Sequence, residues 1–455
     1  MMTSAQLRAL YSALITMAAV LAGFGVMYGI CIGLGVDASP AILAAALSVG
    51  LMRRAGPLEA RALLGKFLML PLIALAAGLV GLALLRLPVF GAALFAGGIA
   101  LSILLRQYGA RAAALGRVIA LPLMTTLVVP VHIDTERGGW ITPLLVISAG
   151  VVSLASTSIV AWIADKLGFA DDPEPERVRV AQTARPGQLP IATRMALQML
   201  TALALAFAIG LAAFPQHWSW LVLTAFIVCS GAVGRGDAIY KGLLRLAGAI
   251  GGAFVAALVA NIVFPTPAAY AAAVFFVLFL GIWLRQINYA YWAACATLIF
   301  ALLQGSQNAD IVPLLAMRVL GIVIGALCGV AATWFVYPIR TEQLVRKRVA
   351  ETLAALREGL AHAPGSPAHE THLAELGRHD RELQRIAPPV NLHRRVFGAA
   401  NPEQHPATWI GLMRGLLAEA RRADFDRAHL GAEMRRLGGM LKAGSAAPAR
   451  DKDPG

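Results

Sequence analysis

Ionisable side chains are scarce inside the apolar stretches of this 455-residue chain. In such surroundings they are costly, so each one is a candidate for function. Arg106 and Arg285 recur in one short motif, Leu105-Arg106-Gln107-Tyr108 and Leu284-Arg285-Gln286-Ile287, at the ends of apolar runs. A guanidinium there can snorkel and anchor a span, or it can gather a carboxylate through parallel N–H donors. Tyr289, Tyr291 and Trp292 follow Arg285. They can anchor at an interface, or stack on an aromatic ring whose carboxylate Arg285 holds. Lys66 and Arg245 form a second related pair, one turn into their runs. Arg318 lies deeper, eight residues after Asp310, on a roughly neighbouring helix face; an ion pair and a substrate contact are both open. Asp237, Asp310 and His217 are the candidates for carrying a proton. Asp237 follows Gly234-Arg235-Gly236, where it can also be a plain helix N-cap. His217 precedes Trp218-Ser219-Trp220, which suits an aromatic belt at an interface.

The frame that must hold these residues is a membrane. Apolar residues make up 58% of the chain and charged residues 14%. Soluble domains run at about 45–50% and about 25%. A soluble enzyme, a disordered chain and a disulfide-stapled secreted domain are thereby excluded. Cys31, Cys229, Cys295 and Cys328 lie in apolar segments without a Cys-x-x-Cys, so neither a disulfide nor a metal is expected. There is no phosphate-binding Gly-x-x-x-x-Gly-Lys-Ser/Thr, hence no encoded ATPase. His362, His369, His372 and His379 lack a His-Glu-x-x-His pattern and read as a solvated helix face. No cofactor is expected.

A bilayer core of about 30 Å takes about 20 apolar residues per helix. Spans are expected over 9–35, 39–53, 62–86, 89–106, 112–130 and 140–163. Six more are expected over 194–214, 218–234, 242–264, 268–285, 289–304 and 311–337. The second and eighth are short. The first apolar stretch exceeds a cleavable signal's h-region of roughly 7–15 residues, and reads as a first transmembrane helix and signal anchor. With the N-terminus inside, 17 Lys/Arg of the first 339 residues face the cytoplasm and only Arg86 and Arg137 face out. That asymmetry is the positive-inside pattern. It accounts for most of the +14 net charge without any nucleic-acid partner.

The two halves also resemble each other at an offset of about 177–179 residues, the spacing that separates Arg106 from Arg285. Six spans per unit is an even number, so the repeats are parallel. Transporters often place the substrate path between such repeats. The glycines of Arg318-x-x-Gly321-x-x-x-Gly325-x-x-x-Gly329 suit a helix-packing seam.

The second repeat carries the most specific pattern: His217-Trp218-Ser219-Trp220, Lys241-Gly242-Leu243-Leu244-Arg245-Leu246-Ala247-Gly248, Tyr289-Ala290-Tyr291-Trp292, and Tyr337-Pro338-Ile339-Arg340. It resembles the fusaric acid resistance-like family, which belongs with the aromatic acid exporters and is distantly related to plant aluminium-activated malate channels. The resemblance is good over 194–340 and weaker over 1–165. It implies an inner-membrane efflux transporter, not an enzyme, for small and aromatic carboxylic acids, driven by an ion or substrate gradient. An anion channel and a non-transporting membrane scaffold stand as alternatives. The partners to expect are the organic anion, the bilayer, a homodimeric copy and a periplasmic membrane-fusion adaptor.

The fold class expected is all-α and polytopic, with twelve transmembrane helices in two parallel six-helix repeats, 1–167 and 193–340. A cytoplasmic linker over 168–192 holds four prolines. The last 116 residues hold 19 of the 39 Lys/Arg and 14 of the 25 Asp/Glu. Leu344, Val345, Val349, Leu353, Leu356 and Leu360 recur there at helical spacing, and prolines divide the segment. A cytoplasmic bundle of about three helices over 341–443 and a disordered 444–455 are expected. Its basic residues suit an anionic lipid surface. The topology is directly testable. In intact cells a membrane-impermeant thiol reagent should label Thr135→Cys and spare Ser445→Cys; the reverse pattern would overturn the orientation.

Overall fold

The computed structural model describes residues 4–52, 73, 75–128, 141–168, 189–232, 234–259, 266–305, 311–339, 341–361, 367–398, 402, 404–420 and 426–446. Over these residues the chain is helical, with no strand. Two compact units divide it: residues 1–230 with 241–337, and residues 231–240 with 338–455.

The first unit holds α1 (Ser4–Leu34), α2 (Ser39–Met52), α3 (Leu75–Arg86), α4 (Pro88–Leu104), α5 (Ala110–Val128) and α6 (Ile141–Lys166). It continues with α7 (Ile191–Ala213), α8 (Trp218–Cys229), α9 (Arg235–Val259, whose first turns belong to the other unit), α10 (Pro267–Leu284), α11 (Tyr289–Gly305) and α12 (Ile311–Phe335). The helices fall on the apolar runs. Local chemistry sets their ends. Pro88 and Pro267 open α4 and α10, where a missing N–H is harmless. Thr266 Oγ1 accepts from Ala269 N at 3.1 Å and caps α10. Gly35, at φ 63°, takes the left-handed turn that closes α1.

Among the described residues, seven helices are long and apolar enough to cross a membrane: α1, α4, α6, α7, α9, α10 and α12. The expected short spans are short in fact. The 12 residues of α8 rise only about 18 Å, against a hydrocarbon core of about 30 Å. α5 carries Arg111, Arg117 and an internal Pro122.

Helices α1, α2 and α6 pack mutually, as do α7, α8 and α12. α4 packs on α7 as well as on its neighbour α5, and α10 packs on α1 as well as on α11. Both junctions are pinned by a glutamine just past the helix end. Thr193 Oγ1 donates to Gln107 Oε1 at 3.2 Å, and Gln286 Nε2 donates to the Ala9 carbonyl at 3.3 Å. Buried Gln198 of α7 closes the far end of α12. Its Nε2 donates to the carbonyls of Val336 (3.0 Å) and Tyr337 (3.2 Å), groups a helix end leaves unpaired.

The α8–α12 contact is close. A Cβ on Gly325 would run into the Leu221 carbonyl and stand 2.9 Å from Thr224 Cβ; one on Gly329 would stand 2.8 Å from Val228 Cγ1. The expected seam therefore exists, and its partner is α8. Gly248 and Gly252 of α9 do the same against the backbone of Ala290 and Ala294 in α11. Small residues at four-residue spacing let helix backbones touch where burial in lipid gives no driving force.

The second unit holds α13 (Thr341–Ala361), α14 (Pro367–Phe397), α15 (Pro406–Ala420) and α16 (Arg427–Ala446). They share a core that includes Val345, Val349, Leu353, Leu356, Leu383, Trp409, Met413 and Leu430. Arg346 lies 5.5 Å from the Trp409 ring, and Arg348 Nη1 meets Glu351 Oε2 at 2.7 Å and Glu382 Oε2 at 3.5 Å. Four helices stand where about three were expected. Pro367 and Pro406 start helices. Pro388 and Pro389 do not end one: α14 runs through them because Leu383, Ala387 and Val390 bury on either side. That burial offsets an interior proline's cost of about 3 kcal/mol. α16 also continues to Ala446, into the segment expected to be disordered; 447–455 lie outside the described residues.

His405 precedes α15 and caps it, its Nδ1 accepting from Ala407 N at 3.1 Å. Only a neutral imidazole can accept. Burial, with His393 and Arg394 adding their charge and Glu342 opposing, pushes its pKa below the usual 6.5. The folded state thus stays neutral where the unfolded state takes a proton. The cap's stability is present above pH 6.5 and is lost as pH falls toward the folded value. Amide-exchange protection factors over 407–417 of the full-length protein, referenced to intrinsic rates at each pH, should fall between pH 7.5 and 5.5. His405→Asn, which keeps an acceptor without titrating, should flatten that dependence. The seam gives a second test. Gly325→Val should destabilise the purified protein by about 1–3 kcal/mol. Gly251→Ala, with nothing within 4 Å, should leave its melting temperature unchanged.

Candidate functional site

The α8–α12 seam sets up the most unusual polar cluster of the first unit. A Cβ on Gly321 would stand 3.1 Å from Leu221 Cδ1 and 3.6 Å from Trp220 Cβ, so α12 lies directly on the start of α8. Arg318, one turn earlier on α12, meets aromatic rings from two helices. Its guanidinium carbon is 5.3 Å from the Trp220 ring and 4.2 Å from the Phe300 ring of α11. Only 3% of Arg318 is exposed.

Arg245 of α9 is equally buried. A Cβ on Gly242, one turn before it, would stand 3.6 Å from Ala326 Cβ and 3.9 Å from Val228 Cγ2, which places this part of α9 beside α8 and α12. The Arg245 charge acts on Arg318. Arg245 Nε and Arg318 Nε and Nη1 have no hydrogen-bond partner among the described residues, nor does the buried Thr224 Oγ1 on α8.

Two like charges out of water are unfavourable twice over, through desolvation and mutual repulsion. A single anion between them relieves both. The rings beside Arg318 contribute cation–π contact, while the N–H groups in the guanidinium plane suit an acceptor such as a carboxylate.

The second expected cluster is assembled in part. Arg285, just past α10, is half-buried with its guanidinium carbon 5.6 Å from the Trp292 ring. Trp292 itself packs against Gly281. Tyr289 Oη is buried without a hydrogen-bond partner among the described residues, and Tyr291 is 49% exposed. Arg106 is exposed on the 3-10 turn Leu105–Tyr108. Its turn is tied to the start of α7, whereas that of Arg285 is tied to α1. The two repeat-related arginines thus serve different junctions.

Asp237 is not the N-cap. Its own N–H and that of Ala238 bond to the Gly234 carbonyl, so Asp237 lies inside the first turn of α9, where a carboxylate suits the helix dipole. It belongs with the second unit. His217 immediately precedes α8 and rests its ring 4.4 Å from that of Trp220; burial pushes its pKa down. Lys66 and Asp310 lie outside the described residues, and with Asp310 the expected Arg318 ion pair.

Residue type alone marks neither Phe300 nor Thr224, and Trp220, which suits an interfacial belt there, is instead 9% exposed against Arg318. One signal was available for Phe300. It and Arg318 stand nine residues either side of Ala309, so a hairpin of α11 and α12 sets them level.

Residues 200–332 match the family described as Fusaric acid resistance protein-like, in agreement with the resemblance of the second half. The matched stretch contains Trp220, Arg245, Arg285, Phe300 and Arg318. No curated protein and no solved structure matches the chain. Apolar spanning helices and this match together make the chain a multi-pass, transporter-like membrane protein with a fusaric acid resistance protein-like segment over residues 200–332.

Proposed function

We propose that the protein is an inner-membrane exporter of small, aromatic carboxylic acids. The observation that carries this reading is the buried Arg245–Arg318 pair with Trp220 and Phe300 on Arg318. A carboxylate leaving water exchanges its hydration for guanidinium donors, and an aromatic ring finds apolar faces beside them. Arg285 with Trp292 and Tyr289 serves as the gathering site at the inner end, and Arg106 as its counterpart in the other half.

In this reading all twelve helices of the membrane unit cross or enter the bilayer as two parallel six-helix repeats. The matched triplets α1–α2–α6 and α7–α8–α12 support it, as does the exchange of α4 and α10 between halves. Both chain termini are cytoplasmic, and the four-helix unit lies on that side. Energy comes from an ion or substrate gradient. An anion channel is the second reading. It is favoured by the scarcity of carboxylates: among the described residues of α7 to α12, Asp237 is the sole acid.

Efflux of benzoate from proteoliposomes tests the reading. Arg318→Gln and Arg245→Gln should each lower the flux roughly tenfold or more, the scale of one lost charged hydrogen bond. Arg285→Lys, which keeps charge and loses the fork, should lower it less. Wild-type flux in both glutamine variants would overturn the site. Dependence on an imposed pH gradient supports the exporter, and equal flux without one supports the channel.

A further inference from the structure

His217 and Trp220 form a contact that anion binding alone does not use. The turn before α8 builds it. The His217 N–H bonds to the Phe214 carbonyl at 2.9 Å, and the His217 carbonyl accepts from Trp220 N at 3.1 Å. The imidazole is thereby held 4.4 Å from the indole that also touches Arg318. Trp220 is 9% exposed, whereas His217 is half-buried in the turn that carries exposed Pro215 and Gln216. One indole thus serves a buried cation and a group that water can protonate.

The geometry points to His217 and Trp220 as positioning residues for Arg318: protonating His217 places a second cation on the indole and loosens its hold on the guanidinium. A ring quadrupole attracts either cation. Two cations on one ring repel each other through it, so each weakens the other.

The surroundings leave this route little competition. α7 has no titratable side chain from 195 to 213, nor has α4, which packs on it. α8 has only Cys229, at its far end. α12 contributes Arg318 and, farther along, Cys328; α9 contributes Arg245, with Arg235, Asp237, Tyr240 and Lys241 in its first turns; α5 contributes Arg111 and Arg117 in its first half. Asp310 stands outside the described residues. Burial pushes the imidazole pKa down, and the indole lies against both groups, 4.4 Å from the imidazole and 5.3 Å from the Arg318 guanidinium carbon.

The consequence for transport rests on the reading of Arg318 as an anion-binding residue; the coupling itself does not. Tryptophan fluorescence of the purified full-length protein, without substrate, reads the coupling, because imidazolium quenches a neighbouring indole. The wild type should show a pH-dependent component with a midpoint below about 6.5. His217→Gln should abolish it. Arg318→Met, which removes the competing cation, should raise the midpoint by about half a pH unit. An unchanged midpoint in Arg318→Met, or a component that survives in His217→Gln, would overturn the proposal. Benzoate flux separates the two readings. A shifted midpoint with wild-type flux in Arg318→Met sinks the anion site and keeps the coupling. An unshifted midpoint with lost flux does the opposite.

Discussion

Two guanidinium groups held out of water, within reach of each other's charge, are the constraint around which the second half of the membrane unit is organised. Neither desolvation nor repulsion can be removed by apolar packing, so the surrounding helices must supply compensation of another kind. They supply aromatic faces, from α8 and α11, to Arg318, while Arg245 Nε and Arg318 Nε and Nη1 have no acceptor among the described residues. The glycine seam serves this arrangement. Without close approach of α12 to α8, the start of α12 would stand off from Trp220, and Arg318 would lose one of its rings.

The same packing separates what the molecule keeps rigid from what it leaves adjustable. Gly321, Gly325 and Gly329 on α12, and Gly248 and Gly252 on α9, place backbone against side chain or backbone with no slack. The polar groups sit on that rigid frame rather than on loops, which is how an anion site is held in geometry. Arg285 differs. It sits past the end of α10, half-buried, where a side chain can follow an incoming ligand.

Much of this was legible in sequence. Apolar runs gave the helices because backbone hydrogen bonding inside lipid leaves few alternatives. Arg318, Arg245 and Arg285 were visible because charge is rare in such runs. The glycine spacing gave a seam but not its partner, since a stripe on one helix says nothing about which helix fills it. Phe300 stayed hidden for a related reason: an aromatic residue in an apolar helix has no distinguishing neighbours until another helix is laid beside it. In the second unit, Pro388 and Pro389 misled, because local propensity was overruled by a core that held both flanks of α14.

Gln198 joins α7 to the carbonyls of Val336 and Tyr337, just past the end of α12, with two hydrogen bonds, and the two helices also pack on each other. Mechanically, α7, α8 and α12 then form one stiff lever rather than three separate rods. A rocking motion that exposed the arginine pair first to one side and then to the other would have little freedom inside that lever. α4 shares the buried core of that lever through Phe95, Ile99 and Ile103, so the strain would fall instead on the lighter crossing of α1 with α10. Gln286, which ties that crossing to the Ala9 carbonyl, therefore occupies the position of a bearing.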